Sequence, residues 1–212
     1  ADSEVFVTPM AAVAGAVADE MLETMLVEAK KPDSCIDHLR KIYVNNGGDI
    51  AFWLNEGESF SIGVVDNPQI PELNAKVSLA HESQVRGIAT SGWRGRSLSL
   101  GIADAVTVLA KSAAVADVAA TLIANEVIVD FTGIEKRPAS EVKDDSDLGM
   151  IPVTVAVPDL AEDKIYMALE QGAKTARKFI KAGKITAAYL SLQKLSLVIE
   201  NDDKIERAII NN

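Results

Sequence analysis

The stretch Ser112–Val127, SAAVADVAATLIANEV, is apolar almost all the way round when wound as a helix. Helices of that kind are buried between other elements rather than laid on a surface. Its polar exceptions, Asp117, Thr121 and Asn125, lie four residues apart and therefore form one stripe on one helix face. A carboxylate in apolar surroundings needs a partner, or it takes up a proton instead. Thr121 places a second hard oxygen one turn beyond Asp117, and an acid–hydroxyl pair at that spacing suits Mg²⁺ or Ca²⁺. A backbone N–H bonded to Asp117, with Thr121 bonded back to its own helix, satisfies the same stripe. The stripe alone leaves both readings open.

Working outward, Ala105–Ala110 (AVTVLA) reads as a buried strand leading into this helix. Upstream, Thr8-Pro9 opens another helix, with Thr as N-cap and Pro in the first turn. The first half of that helix is Ala, Gly and Val, which lets a neighbouring backbone approach closely. Its second half, with Asp19, Glu20, Glu23 and Glu28, is expected to reach solvent. Residues 1–7 look extended. Ile42–Val44 and Ile50–Leu54 are strand candidates joined by Asn45-Asn46-Gly47-Gly48-Asp49, and Phe60–Val65 and Ala75–Ala80 are two more, separated by a turn-rich segment at Asp66–Glu72. Gly87–Gly92 and Trp93–Arg96 read as a glycine-punctuated loop. Beyond the Asp117 helix, Ile128–Phe131 and Ile151–Val157 are strand candidates, and Glu135–Asp147, polar and charged, reads as a mobile loop or an internal linker. Asp159 and Glu162 have the spacing of a capping box for a helix over Leu160–Ala182, stopped by Gly183. Ile185–Ile199 alternates as a strand with a slip at Lys194. The pattern is α+β, with two small-residue helices side by side on a largely antiparallel sheet.

A chain of 212 residues builds one sizeable domain, and 48% hydrophobic with 25% charged residues is globular composition. The net charge of −10 argues against nucleic-acid binding, which needs a basic surface. The single cysteine, Cys35, precludes an internal disulfide and fits a reducing, cytoplasmic setting. The apolar run Val5–Ala18 has acidic flanks and is too short to span a bilayer, so neither a signal segment nor membrane partnership is expected. The first residue is Ala1 rather than Met, which points to processing or to a piece of a longer product. An open sheet face and few aromatics permit a homodimer without requiring one.

Four segments carry the candidate chemistry. Asn46, Gly47, Gly48 and Asp49 make a tight turn that also lets backbone N–H groups approach a ligand. Thr90, Ser91 and Gly92, with Arg94 and Arg96 nearby, supply hydroxyls and guanidinium forks for a phosphate. The Asp117 stripe is the third, and the Ala11–Gly15 run, whose small side chains leave room, is the fourth. Cys35 with His38, and His81 beside Glu82, are weaker pairs for which structural readings are favoured. Trp93 serves either as a stacking ring or as a loop anchor. Asp104 is a turn residue or a second acid facing the site. No GxGxxG, P-loop, nucleophile elbow or HExxH is present.

The order A-x-G-x-x-x-D (Val13-Ala14-Gly15 through Asp19), NGGDI (Asn46–Ile50), ATSG (Ala89–Gly92) and VTVLA-x-SAAxADxxAT (Val106–Thr121) resembles the ApbE family of Mg²⁺-dependent flavin transferases and FAD pyrophosphatases. The closer likeness is to a small, poorly characterised branch with PMAAVAGA (Pro9–Ala16) and SLGxADAVTV (Ser99–Val108). The resemblance covers roughly residues 8–127. It implies a single domain over 1–212, lacking an N-terminal segment, with an α+β fold related to the tunnelling fold. It implies Mg²⁺ at Asp117, Thr121 and the backbone carbonyl near Val13, and FAD or FMN as the small-molecule nucleotide ligand, lined by Asn46–Asp49 and Thr90–Gly92. The family's AKG lysine is Ala14 here, and its HxxDPxTG histidine segment is absent, with only Arg96–Asp104 in that interval. A general base is therefore not carried over, and Asp104 is the catalytic candidate by position alone. A binding protein without transfer chemistry is the alternative.

Overall fold

A computed structural model describes residues 7–31, 39–66 and 73–201. Cys35, His38, most of the Asp66–Glu72 turn and residues 1–6 of the expected extended start lie outside them. A 3-10 turn at Pro9–Ala12 leads into α1 (Val13–Ala29). The strands β1 (Lys41–Asn46), β2 (Asp49–Leu54), β3 (Ser59–Val64), β4 (Ala75–Ala80), β5 (Gly87–Ser91) and β6 (Ala105–Ala110) follow. Then come α2 (Ala113–Glu126), β7 (Glu135–Pro138), α3 (Ala139–Val142), β8 (Pro152–Ala156), α4 (Glu162–Lys181), β9 (Ile185–Leu192) and β10 (Leu195–Glu200).

Six strands form one sheet in the order β1-β2-β5-β6-β9-β10, antiparallel at every pairing. Alternation along each strand divides the core between its two faces. On one face Ala89, Val106, Val108, Ala188 and Leu190 pack with Ala116, Ala120 and Ile123 of α2 and Ile165 and Leu169 of α4. On the other, Phe52, Leu54, Ile88, Leu109 and Tyr189 are covered by the β3–β4 hairpin through Val64, Val77 and Leu79. The start of α1 lies beside α2, and Ala18 and Leu22 pack with Ala51 and Ala113. The fold is thus α+β, with helices packed on an antiparallel sheet. Among the described residues no helix is long and apolar enough to cross a membrane.

Small residues set the spacing around α2. A Cβ on Gly15 of α1 would overlap the Ala113 carbonyl, and one on Gly87 of β5 would overlap Ser112 and Ala113. The first turn of α2 is therefore gripped between two glycines, closer than side chains allow. Ser112 is its N-cap, its hydroxyl accepting from Val115 N at 3.3 Å.

Several elements differ from the sequence reading. Gly87–Ser91 is a central strand rather than loop, because its neighbours β2 and β6 and the close approach of α2 outweigh its weak strand composition. Ile128–Phe131 forms no strand; Val127 O instead accepts from Ile102 N at 2.9 Å. Glu135–Asp147, expected to be a loop, contains β7 and α3, and β7 pairs with β8. Polar composition misleads there because Glu135, Lys136 and Arg137 are all exposed. The slip at Lys194 is a hairpin turn between β9 and β10, with Gln193 in the left-handed region at φ 51°. The Asp159–Glu162 capping box does not form: α4 has Ala161 as its N-cap, without a side-chain cap. Gly183 ends α4 at φ 66°, as expected.

Candidate functional site between the first two long helices

Two helices and one hairpin turn converge on Asp117. Its Oδ2 accepts a hydrogen bond from Gly15 N at the start of α1, 3.0 Å away. Asp117 is half-buried, and burial raises its carboxyl above the usual range, opposed by that Gly15 bond. Asp49, the first residue of β2, lies close enough to respond to it. Burial first, and then the Asp117 charge, push Asp49 up to about 7, with Arg96 pulling the other way. The Asp49 carboxyl is therefore within electrostatic reach of both Asp117 and the Arg96 guanidinium.

The turn that delivers Asp49 is a two-residue hairpin in which Asn46 and Asp49 are paired across Gly47 and Gly48. Those glycines have φ 72° and 114°, a region that side chains disfavour. Asn45 Oδ1 accepts from Gly48 N at 2.9 Å, which closes the turn. Asn46 Nδ2 donates to Ala14 O at 3.0 Å, fastening the turn to the start of α1. Asn46 thus ties the turn that carries Asp49 to the start of α1.

The other expected residues divide into two groups. Thr121 is half-buried one turn beyond Asp117 on α2, and Val13 opens α1 two residues before Gly15. Asn125, the last of the stripe, turns to the chain before β6, its Oδ1 accepting from Leu100 N at 2.9 Å. Thr90 and Ser91 alternate across β5, so they do not act as one cradle. Thr90 Oγ1 bonds Thr107 Oγ1 at 2.8 Å on the hairpin-covered face, whereas Ser91 is buried on the helix-covered face. Gly92 lies where a Cβ would strike the Asp104 carbonyl.

Asp104 is fully engaged. Its Oδ1 accepts from Trp93 Nε1 at 3.1 Å and Arg94 Nε at 2.6 Å, and its Oδ2 accepts from Gln193 N at 2.5 Å. Arg94 also stacks on Trp93, 4.5 Å from the ring centroid. These residues brace the β5–β6 loop against the β9–β10 turn, an arrangement that leaves Asp104 poorly placed to act as a free base and Arg94 poorly placed to hold a phosphate. Trp93 is a loop anchor. His81 Nδ1 meets Leu54 O at 2.7 Å and anchors its own turn.

Two residues already named in the sequence take roles that the sequence does not give. Asp19, expected to face solvent, accepts from Ala113 N and Ala114 N, both at 2.9 Å, and so caps α2 from the neighbouring helix. Arg96 rather than Arg94 reaches Asp49. The four-residue step from Gly15 to Asp19, placing both on one face of α1, was the available signal for Asp19; nothing local separates Arg96 from Arg94.

The oxygens these elements offer are the Asp49 and Asp117 carboxyls, the Thr121 hydroxyl one turn along α2 and the carbonyls at the start of α1. That chemistry fits a hard cation such as Mg²⁺. Among the described residues no group of three or more His, Cys, Asp and Glu gathers, so the carboxylates, hydroxyl and carbonyls would have to be completed by water or ligand oxygens.

Fold and site together define an α+β protein with a paired-carboxyl centre between two close-packed helices. The chain belongs to the family described as "AbpE bacteria", whose model matches residues 1–210. It is similar to a UPF0280 protein of Methanobrevibacter smithii, 38% identical over 123 residues, covering 58% of this chain and 47% of that protein. A UPF0280 protein of Methanopyrus kandleri is 33% identical over 151 residues, 71% of this chain and 56% of the relative. One from Methanothrix thermoacetophila is 36% identical over 131 residues, 61% and 50% of the two chains. The chain spans about half the length of the relatives it matches.

Proposed function

We propose that this protein binds a flavin nucleotide, FAD or FMN, together with Mg²⁺ at the Asp49–Asp117 centre. The observation that carries the reading is the convergence of three segments distant in sequence, at Gly15, Asp49 and Asp117, on one half-buried pair of carboxyls. Two like charges held together out of water are costly unless a proton or a cation joins them. The resemblance to ApbE proteins supplies the flavin.

Asp117 and Thr121, with Asp49 and the carbonyl near Val13, would hold the cation. Bound there, Mg²⁺ supplies Lewis acidity toward a diphosphate. The Gly15 N–H orients Asp117, and Asn46 holds the turn that presents Asp49. Cleavage of FAD to FMN and AMP, or FMN transfer, also needs a group to accept a proton. Asp104, with its three donors, does not offer one. This favours the second reading, a flavin or metabolite binding protein without transferase chemistry.

Incubation with FAD and Mg²⁺, followed by separation of the products, distinguishes the two. Release of FMN and AMP identifies a pyrophosphatase, and saturable binding of intact FAD identifies a binding protein. No binding of either flavin, with or without Mg²⁺, contradicts both.

A further inference from the structure

We propose that this chain forms a two-fold homodimer through the outer flank of its sheet, with β1 pairing to β1 of a second copy and α1 packing on α1 above it. The inference is independent of what binds at the Asp49–Asp117 centre.

β1 is the last strand on one side of the six-stranded sheet, and among the described residues nothing pairs with its outer side. The hairpin fixes which backbone groups are left over. Asn46 and Asp49 close its two-residue turn, and Asn55 N donates to Arg40 O at 2.8 Å, so the even-numbered residues from Arg40 to Asn46 bond to β2. The N–H and C=O groups of Lys41, Tyr43 and Asn45 therefore point outward, an open row ready for another strand.

Apolar groups border that row on both faces of the sheet. On one, Tyr43 stands edge-on to Phe60 and is 59% exposed. On the other, Val13, Val17, Met21 and Met25 are all exposed along α1 at four-residue steps. Asp19 reaches across to α2. Two residues turn a helix by about 200°, so Val17 and Met21 face the opposite way, out over the β1 edge.

An added strand alone would leave the α1 stripe bare. A second copy supplies a strand and a helix in the same mutual arrangement, and one axis serves both layers. Antiparallel pairing of the outward residues centres on Tyr43, the middle of the three. Asn46 is fastened to Ala14 at the start of α1, and Ile42 and Val44 join the cluster of Ala18 and Leu22 further along it. Tyr43 lies about 10 Å from Asn46, or roughly six to seven helical residues beyond Ala14, which falls between Val17 and Met21. That axis sets Val17 against Met21 of the second copy and Val13 against Met25. The lateral spacing agrees. α1 packs over both β1 and β2. Its axis is then about 4.8 Å from the two-fold, and the helices about 9.6 Å apart, the separation of packed helices. The flank measures about 25 Å by 20 Å, roughly 500 Å² in plan, the scale of the about 800 Å² of accessible surface that each partner in a stable complex buries.

Sedimentation equilibrium on the full chain, at concentrations up to about 100 μM, tests this beside three variants checked for folding by circular dichroism. The unmodified chain is expected at twice its monomer mass. Tyr43→Pro removes an outward N–H and no bond to β2, a change that edge strands tolerate, and should weaken dimerisation by about tenfold or more. Met21→Glu sets a carboxylate against Val17 of the second copy and should do the same. Val17→Lys added to Met21→Glu pairs the charges across the axis and should restore the dimer. Loss in both single variants with rescue in the double variant upholds the proposal. A chain that stays monomeric, a dimer indifferent to either single substitution, or failure of the rescue overturns it.

Discussion

Asp19 and Ala113 join the two helices that frame the site: the Asp19 carboxylate on α1 accepts the Ala113 N–H at the first turn of α2, 2.9 Å away, while its other oxygen takes Ala114 N. The exchange is mutual, because Asp117 on α2 accepts Gly15 N at the start of α1 at 3.0 Å. Each helix thus satisfies backbone donors that the first turn of the other leaves without intrahelical partners. One of these acids caps. The other is left beside Asp49, where its charge has a consequence for binding.

The capping role sets the first expectation. Asp19→Ala should lower stability by about 1–2 kcal/mol, since two N–H groups at the positive end of α2 lose a charged acceptor. Urea unfolding followed by circular dichroism measures the loss. No change would show that Asp19 is dispensable to α2.

Gly15→Ala tests the close approach. The added methyl would overlap the Ala113 carbonyl and Ala114 N. The helices must part, at about 1–3 kcal/mol, typical of overpacking. The Gly15–Asp117 bond lengthens with them, so Mg²⁺-linked ligand binding should weaken along with the melting temperature.

Asp104→Ala separates bracing from catalysis. Removing an acceptor of three hydrogen bonds, one of them in an ion pair with Arg94, should cost about 3 kcal/mol. Mg²⁺-linked flavin affinity, measured where the variant is still folded, should be retained. Intact stability with lost FAD turnover would instead restore Asp104 as the base.

The pH dependence has a definite sign. Asp49 titrates at about 7 in the folded chain, above its ordinary 3.8. Between those values the folded protein holds a proton that the unfolded chain has released. Without metal, stability should therefore rise as pH falls through 7 toward 4, and fall as pH rises through 7. Denaturant titrations from pH 5 to 8 read this slope against the remaining titrating groups by comparison with Asp49→Asn. A slope unchanged by that substitution would contradict the raised value.

Much of the fold was legible because local and tertiary demands agree. The alanine-rich pattern with Ser112 in front gave α2 to within a residue, and AVTVLA gave β6 outright. The NNGG turn was readable because only glycine is at ease at those backbone angles. What stayed hidden depends on neighbours. Gly87–Ser91 is a strand only because β2, β6 and α2 close around it, and β7 is nearly all exposed polar residues. In the site, the Asp117 stripe was visible from helical spacing. Its relation to Asp49 was not, since 68 residues separate them in the chain. Arg94 and Arg96 look alike in sequence; one is paired within its own loop and the other crosses to Gly47.

On the proposed function, Asp117 makes flavin binding depend on Mg²⁺. Equilibrium titration of FAD fluorescence against the protein, with and without Mg²⁺, in the unmodified chain and in Asp117→Ala, tests it most directly. Mg²⁺ should tighten FAD binding by about tenfold or more in the unmodified chain and leave it unchanged in the variant, with circular dichroism confirming that the variant is folded. FAD affinity that is indifferent to Mg²⁺, or a Mg²⁺ effect that survives Asp117→Ala, would contradict the account.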